Sequence, residues 1–529
     1  MSRFLIMSEG GDGVGLALRL QVEGHNTQIW IREVEQSSSG KGLVNQADEY
    51  EFGQTIIADC TGFGVLLDKY RDSGVPVFGG GSFADRLETD RQFAEEVMNN
   101  AEIDTPKSLS VRSWKDARKA IEKVESEKVV LKPEGASSGV IPSYVASSQE
   151  DALNMLTHFE QDNGKDNVEL TVQEFVEGID VSTEGWFDGE DWIDGLFNHT
   201  IERKQLMNDN LGPSGGCTGN VVWSCDSKDP IVKYLLLKLT DILREHRYVG
   251  PIDVNCVIND KGFYGLEFTP RFGYDAFPTM LYTLFSSDFG SFISECVNGN
   301  GIRTGLNAGF GCGVRLTIPP WPSEGSPKKT SIRGFEERDK QSFYPYGAML
   351  VDEELQSCGS DGSLGVINCS GGSISEGFAK AYEIISRLEI SNVQYRTDLP
   401  SIFLSDFREI QRILDGQDES EGWIGVDLDG TLAEYSCWSG VIGQPIPKMV
   451  QRVRRWVREG KEVRILTARG ASHFGNAPKY EQQVAIHSWI NKHIGHPLEV
   501  TDKKDFEMLR LYDDRVRQVE EGTGEVVGA

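Results

Sequence analysis

Short apolar runs separated by glycine mark the first eighty residues. Phe4-Leu-Ile-Met7 is followed by Glu9-Gly-Gly-Asp-Gly-Val-Gly15, then by Leu16-Ala-Leu-Arg-Leu20 and Thr27-Gln-Ile-Trp-Ile31. That order predicts strand, tight turn, helix and strand, the unit of a parallel α/β layer, in which the glycines allow either a phosphate or a closely packed helix. Close packing is the preferred reading. Thr55-Ile-Ile-Ala58 and Val75-Pro-Val-Phe78 predict two more strands with a helix over 65–73 between them, so a first domain closes near residue 80.

Beyond it, an amphipathic charged stretch predicts one helix over 85–100 and another over 113–126, and Lys128-Val-Val-Leu-Lys132 reads as a buried strand ending in a lysine. The small residues of Pro133-Glu-Gly-Ala-Ser-Ser-Gly139 predict a mobile loop directly after it. Glu169-Leu-Thr-Val-Gln-Glu-Phe-Val176 and Gly262-Phe-Tyr-Gly-Leu-Glu-Phe268 are strands, the second with Glu267 near its end. Val314-Arg-Leu-Thr-Ile318, the turn-rich Pro319-Pro-Trp-Pro322 and a helix over 375–388 predict a smaller α+β appendage. The acidic tract Asp415-Gly-Gln-Asp-Glu-Ser-Glu-Gly422 reads as a linker. The expected domains are 1–80, 81–300 and 301–400, a linker over 401–420, and a last domain over 421–529.

Composition narrows the function classes. At about 100–200 residues per domain, 529 residues hold three or four domains with sizeable cores. Lys and Arg total 53 against 82 Asp and Glu, a formal charge of −29 that repels phosphate backbones and anionic membranes. General nucleic-acid or lipid binding is therefore not expected, although a local basic cleft survives the argument. An anionic ligand needs a few placed cations or a metal. No apolar run suits a signal peptide or a membrane helix, which points to a cytosolic protein. The nine cysteines show no CxxC pair, so they are expected to be reduced, buried small residues.

A strand-end lysine, a small-residue loop, a hinge and a terminal acidic strand follow one another in the order used by ATP-grasp enzymes. Leu87-Glu-Thr-Asp-Arg-Gln-Phe93, Val130-Leu-Lys-Pro-Glu-Gly135, Gln173-Glu-Phe-Val-Glu-Gly178, Gly212-Pro-Ser-Gly-Gly-Cys-Thr-Gly219 and Leu266-Glu-Phe-Thr-Pro-Arg-Phe-Gly273 resemble the phosphoribosylamine–glycine ligase (glycinamide ribonucleotide synthetase) family. The resemblance covers about residues 1–400 and implies a pre-ATP-grasp α/β layer followed by an ATP-grasp (α+β) fold. It also implies that Arg91 and Lys132 touch nucleotide phosphates, that the backbone of Glu174, Phe175 and Val176 bonds adenine, and that Asp180 accepts from ribose. Glu267 would bind magnesium, with Asp253 as the second carboxylate because a hard cation between phosphates takes oxygen ligands. Arg271 would neutralise an acyl phosphate. The implied cofactors are ATP and Mg2+, and the implied substrates an amine and an amino acid. Thr269 stands where the family has an asparagine, the loop after Lys132 is shorter and lacks a second lysine, and Ser214 and Cys217-Thr218 alter the substrate loop.

A second constellation begins at Gly425-Val-Asp-Leu-Asp-Gly-Thr-Leu432, an apolar strand that delivers Asp427 and Asp429 to one side, about 7 Å apart. One carboxylate can attack phosphorus while the other moves the leaving-group proton. With Glu462-Val-Arg-Ile-Leu-Thr-Ala-Arg469, Thr501-Asp-Lys-Lys-Asp505 and Leu511-Tyr-Asp-Asp-Arg515, this resembles the haloacid dehalogenase (HAD) superfamily. The resemblance implies a Rossmannoid α/β phosphatase acting on a phosphomonoester, with Thr467 and Lys504 on phosphate and Asp427, Asp429, Asp513 and Asp514 at magnesium. Forty residues separate Asp427 from Thr467 and thirty-seven separate Thr467 from Lys504, enough for one βα unit each and too few for a cap domain. His493 and His496 read as helix-end residues interacting with the dipole.

Three readings stay open. The chain is a bifunctional ligase and phosphatase; or its ligase takes a modified nucleotide or other amine in a specialised pathway, a viral one included; or the ligase site is a decayed nucleotide-binding module beside an active phosphatase.

Overall fold

The computed structural model describes residues 1–529 except 34–37, 135–142, 165–167, 300–303, 324, 415–422, 436, 439, 459–460, 471–478, 505–507 and 517–529. The chain divides into two compact units, Met1–Ile410 and Gln411–Ala529. No described helix is long and apolar enough to cross a membrane.

The first unit opens with β1 (Arg3–Ser8), α1 (Val14–Val22), β2 (Asn26–Ile31), β3 (Asn45–Gln46), β4 (Thr55–Ala58), α2 (Gly64–Asp72) and β5 (Val77–Phe78). The strands form a parallel sheet in the order β3-β2-β1-β4-β5. The glycine-rich turn serves packing: a Cβ on Gly15 would lie 2.5 Å from the Tyr344 ring, and one on Gly13 would lie 2.7 Å from Ile6.

Two helices follow, α3 (Gly81–Thr89) and α4 (Arg91–Asn100), where one was expected over 85–100. The reason is Asp90, whose extended backbone (φ −108°, ψ 91°) lets its carboxylate accept from the Phe93 N–H at 3.0 Å. An N-cap outcompetes helix continuation there. Next come β6 (Ser108–Val111), α5 (Trp114–Ile121), β7 (Val129–Pro133), β8 (Tyr144–Ala146), α6 (Gln149–Asn163) and β9 (Leu170–Glu174), whose strands pair antiparallel in the order β6-β9-β7-β8. Helix α5 stops at Ile121, short of the expected 126, where its buried face ends. The loop expected after Lys132 falls, from residue 135 on, outside the described residues.

An eight-stranded sheet forms the rest of the unit. Its elements are β10 (Ile179–Asp188), β11 (Trp192–Gln205), β12 (Ser214–Cys225), α7 (Pro230–Leu235), α8 (Thr240–Glu245), β13 (Val249–Asn259), β14 (Gly262–Thr269), α9 (Ala276–Thr283), α10 (Phe289–Val297), β15 (Phe310–Thr317), β16 (Phe343–Pro345), the hairpin β17 (Ala348–Val351) and β18 (Glu354–Ser357), β19 (Ser363–Gly371), α11 (Ile374–Arg387) and α12 (Leu399–Leu414). The sheet order is β14-β13-β10-β11-β12-β15-β19-β16. Residues 301–400 are therefore no separate appendage: β15 pairs with β12 from Gly219↔Val314 to Trp223↔Phe310 and carries the sheet onward. Nor is 401–414 a linker. Leu399, Phe403 and Ile410 recur at helical spacing and are fully buried, so the segment is an amphipathic helix. The acidic tract 415–422 lies outside the described residues.

The second unit contains β20 (Trp423–Asp427), α13 (Pro447–Arg458), β21 (Glu462–Leu466), α14 (Lys479–His493), β22 (Glu499–Thr501) and β23 (Met508–Tyr512). Its parallel sheet runs β22-β21-β20-β23 over a core that includes Val426, Val453, Trp456, Ile465, Ile486 and Ile490. All nine cysteines are free, but Cys60 and Cys225 are only half-buried and Cys437 is exposed, against the expectation of uniform burial.

Candidate functional sites

Strand register gathers one row of polar side chains on the large sheet. Ser182 faces Asn255 and Thr200, Glu184 faces Asp253 and Asn198, Asn255 faces Glu267, and Asp253 faces Thr269. Residues opposed in an antiparallel ladder share a face, as do residues two apart. Asp180 and Glu202 thus join the row.

Two cavities meet at its edge. One of about 250 Å³ is lined by Asp180, Ser182, Glu202, Lys204, Asn255 and Glu267. The other, about 70 Å³, is lined by Arg91, Lys132, Glu134, Thr171, Gln173 and Glu267. Glu267 and Leu266 belong to both. Burial pushes the Lys132 ammonium below the ordinary lysine range, and Glu267 only partly offsets it. Burial also works against Lys204, but there Glu267, Glu202 and Asp180 outweigh it and hold the ammonium above that range. Asp180 is raised, first by burial, with Lys204 and Arg203 opposing. Lys204 and Glu202 were missed in the sequence. Their signal was the polar alternation Thr200, Glu202, Lys204 along a strand.

Asp253 stands apart from the cavities. It is buried, its Oδ1 has no hydrogen-bond partner among the described residues, and desolvation, then Glu184 and Glu202, push its carboxyl well above the usual carboxylate range. A buried acid with an orphaned oxygen is the kind of oxygen donor a divalent cation takes, so Asp253 fits magnesium by its chemistry, while the carboxylate groups within joint ligand reach among the described residues do not include it. Thr269 is bonded within the row: Asn255 Nδ2 donates to Thr269 Oγ1 at 3.0 Å, and Ser182 Oγ donates to Asn255 Oδ1 at 2.6 Å. Arg271 does not line either cavity. Its Nη2 donates to Glu88 Oε1 at 2.8 Å, and Glu88 is on the wall of the Lys132 cavity. At the expected adenine hinge, two amides already have partners, Glu174 N–H with Lys107 O at 2.9 Å and Phe175 N–H with Ser126 Oγ at 3.2 Å.

In the second unit, carboxylate oxygens of Asp427, Asp513 and Asp514 lie within 4.8 Å of one another at the ends of β20 and β23, an oxygen set that fits a hard cation. Asp427 is pushed up to about 7, by burial and then by Asp513 and Asp429. Asp429, expected beside them as a metal ligand, lies outside the trio: Arg469 Nε donates to its Oδ2 at 2.5 Å and Nη2 to its Oδ1 at 2.6 Å. A two-point ion pair takes both of its oxygens. Thr467 is buried and its Oγ1 accepts from the Arg469 N–H at 3.3 Å. Lys504 is exposed after β22.

A fold of this topology carrying lysine, acidic strand and paired cavities in this arrangement defines an ATP-grasp domain, a ligase class that uses ATP and magnesium. Residues 89–276 match the family profile described as phosphoribosylglycinamide synthetase, ATP-grasp (A) domain. The chain is 23% identical over 378 residues to the phosphoribosylamine–glycine ligase of Streptococcus suis, covering 69% of this chain and 87% of that protein. Among solved structures, phosphoribosylamine–glycine ligase from Thermotoga maritima superposes with a TM-score of 0.57 at 18% identity, covering 74% of this chain and 99% of that one. A biotin carboxylase from Campylobacter jejuni superposes at 0.51 with 13% identity, over 74% and 92% of the two chains, and shares the fold.

Proposed function

We propose that the chain carries two activities. The unit Met1–Ile410 is an ADP-forming carboxylate–amine ligase of the phosphoribosylamine–glycine ligase kind, joining an amino acid such as glycine to a ribosylamine in purine synthesis. The observation that carries this is Glu267 on the rim common to two cavities, one holding Arg91 and Lys132 and the other Asp180 and Lys204, inside the family-matched segment. Arg91 and Lys132 neutralise nucleotide phosphates, Asp180 accepts from ribose hydroxyls, and the 174–176 hinge holds adenine through backbone groups other than its two engaged amides. Lys204, kept charged by three carboxylates, faces the transferring phosphoryl group. Arg271 meets the acyl phosphate when its pair with Glu88 opens. Glu267 at the cavity rim would hold magnesium, with Asp253 on the facing strand as the expected second carboxylate, and the metal would supply charge at the phosphate. The test is product analysis with ATP, magnesium, glycine and phosphoribosylamine. ADP that disappears in Glu267→Gln supports the ligase; AMP and pyrophosphate would overturn it.

One observation favours a different amine. Asp12 and Asp59 stand at the glycine-rich turn, pushed by burial to about 6 and about 7, with Asp12 adding to the shift of Asp59. Arg315 and Arg271 work against the shift at Asp12, so the acids there are accompanied by two arginines, and the set suits an amine substrate that carries a cationic group beside an anionic one. A panel of amines in the ADP assay decides between the two, and ADP release with none of them would leave only a nucleotide-binding module.

The unit Gln411–Ala529 is a magnesium-dependent phosphomonoesterase. Asp427 attacks phosphorus as the ester P–O bond breaks, and Asp429, once its pair with Arg469 opens and it has taken a proton from solvent, gives that proton to the leaving oxygen; water, losing a proton to Asp429, then frees phosphate from Asp427. Thr467 and Lys504 hold the phosphate, and Asp427, Asp513 and Asp514 hold the metal. Phosphate release from p-nitrophenyl phosphate should vanish in Asp427→Asn; retained turnover would exclude this mechanism.

A further inference from the structure

One carboxylate joins three parts of the first unit. Glu88, near the end of α3, accepts from Arg271 Nη2 at 2.8 Å and Nε at 3.3 Å through Oε1, and from Thr61 Oγ1 at 2.8 Å through Oε2. It also lines the cavity that holds Arg91 and Lys132. The partners come from separate elements: Arg271 follows β14, Thr61 lies in the loop between β4 and α2, and Arg91 opens α4. Asp85, three residues earlier and so on the same face of α3, accepts from the N–H groups of Gly62 and Gly64 at 2.7 and 2.8 Å. Helix α3 thereby grips the loop that follows Asp59.

An acid on the wall of a cavity that gathers cations opposes phosphate binding unless a further cation covers it. Arg271 does so, and its side chain is only 10% exposed. Its remaining nitrogen, Nη1, donates to Phe272 O at 2.9 Å, and the guanidinium lies over the Tyr274 ring at 4.2 Å. The fork is thus engaged at all three nitrogens. Arg271 also shares a small void, about 10 Å³, with Cys60, Thr61 and Asp85. Burial raises Asp12, and Arg315 and then Arg271 pull it back, so the same guanidinium reaches the glycine-rich turn. Arg271 is therefore counter-charge to Glu88 and to the acids of that turn at once, and removing it leaves poorly solvated carboxylates uncovered. A cationic amine arriving at the turn supplies the missing charge.

We propose that Glu88 is a positioning residue for Arg271, keeping the guanidinium back until a cationic amine takes its place beside Asp12 and Asp59. The inference rests on the ligase reading above. In that reaction the amino-acid carboxylate takes the γ-phosphoryl group of ATP and ADP leaves; the amine nitrogen then attacks the acyl carbon, losing a proton as phosphate departs. If Arg271 moves before the amine is present, the acyl phosphate forms with only water to attack it. Water returns the amino acid and phosphate, a net hydrolysis of ATP. The hold of Glu88 on Arg271 suppresses that side reaction. A glutamine at 88 keeps the shape of the contact but weakens it, because a hydrogen bond between two charged partners is stronger than one to a neutral amide.

The test measures ADP release by the full chain with ATP, magnesium and glycine, first without an amine and then with phosphoribosylamine. In Glu88→Gln the amine-free rate should rise about tenfold, the gain when a competent state goes from roughly a tenth of the population to most of it, and ADP should outrun amide product once the amine is added. A purely structural acid would move the amine-free rate down instead. Thr61→Val removes one bond to Glu88 and leaves the ion pair, so it should raise the amine-free rate by a smaller factor and keeps the test alive should Glu88→Gln melt early. Arg271→Met added to Glu88→Gln should cancel the rise, because the effect runs through the guanidinium. An amine-free rate that is unchanged or lowered in both single variants overturns the proposal, as does a rise that survives Arg271→Met. A wild type that releases no ADP with glycine and any amine of the panel removes the ligase reading, and this inference with it.

Discussion

Arg469 grips Asp429 at two points, Nε to Oδ2 at 2.5 Å and Nη2 to Oδ1 at 2.6 Å, while its Nη1 is buried with no hydrogen-bond partner among the described residues. The guanidinium is almost wholly enclosed. Its backbone N–H meanwhile donates to Thr467 Oγ1, so one residue ties the proton donor of the proposed phosphatase to its phosphate-binding threonine.

That arrangement predicts a steep dependence on the arginine. Lysine keeps the charge but cannot make the two-point grip. Arg469→Lys should lower phosphomonoester kcat by about 10²-fold, within the range of a misplaced general acid, and leave ADP formation as it was. A steady-state assay of both activities checks this; a wild-type phosphatase rate would show that the pair is only structural.

The second prediction concerns Lys204. If its charge, held up by Glu267, Glu202 and Asp180, serves the transferring phosphoryl group, Lys204→Met should cut ADP release by about 10²–10³-fold. ATP binding measured by calorimetry should change far less. Equal losses in binding and turnover would place Lys204 in nucleotide binding alone.

A third prediction is a pH signature. Burial raises Glu184 from the ordinary 4.5 to about 7, with the Trp186 Nε1–H it accepts at 2.9 Å pulling the other way. Between those values the folded chain keeps a proton that the unfolded chain has lost, so stability falls as pH rises from 4.5 to about 7 and the loss is complete above that. Glu184→Gln retains an acceptor for Trp186 and removes the ionisation. It should stabilise the first unit at pH 8, by up to about 3 kcal/mol, and do little at pH 4.5. Urea unfolding at the two pH values, in the presence of chelator, reads the difference; equal effects at both would remove the assignment.

What was legible in the sequence was whatever a short period or a contiguous motif encodes. The strands around Phe4, Thr55, Lys132 and Glu267 follow from local apolar runs, whereas the ATP-grasp fold was implied by the resemblance of the motifs they carry to a known family. Asp90 was hidden because an N-cap inside an amphipathic stretch preserves its periodicity, and only the backbone turn separates α3 from α4. Lys204 was hidden because its partners come from β10 and β14, distant in sequence and joined only by register. Asp429 was assigned to metal because the motif says which carboxylates are close, while the arginine that claims this one arrives from forty residues away. Residues 301–400 looked independent because strand pairing across β12 and β15 leaves no local trace.

The last prediction tests the helix that replaces the expected linker. Phe403 is fully buried, stacks on the Phe378 ring at 5.7 Å with planes 12° apart, and lies under the Arg203 guanidinium at 5.1 Å. Arg203 also pairs with Asp406 one turn along, and Leu399 fills the space that a Cβ on Gly219 would take. Helix α12 therefore clamps β11 and β12 beside the strand segment that carries Glu202 and Lys204. Phe403→Ala should destabilise the first unit by about 3–5 kcal/mol, the cost of a large cavity in a rigid core, whereas a substitution in an exposed linker stays within about 0.5 kcal/mol. Because Arg203 sits between Glu202 and Lys204 in the chain, ADP release should fall even at temperatures where the unit remains folded. Urea unfolding followed by tryptophan fluorescence, with both enzyme activities assayed along the transition, separates these effects. A midpoint unchanged from wild type would return 401–414 to the status of a tether.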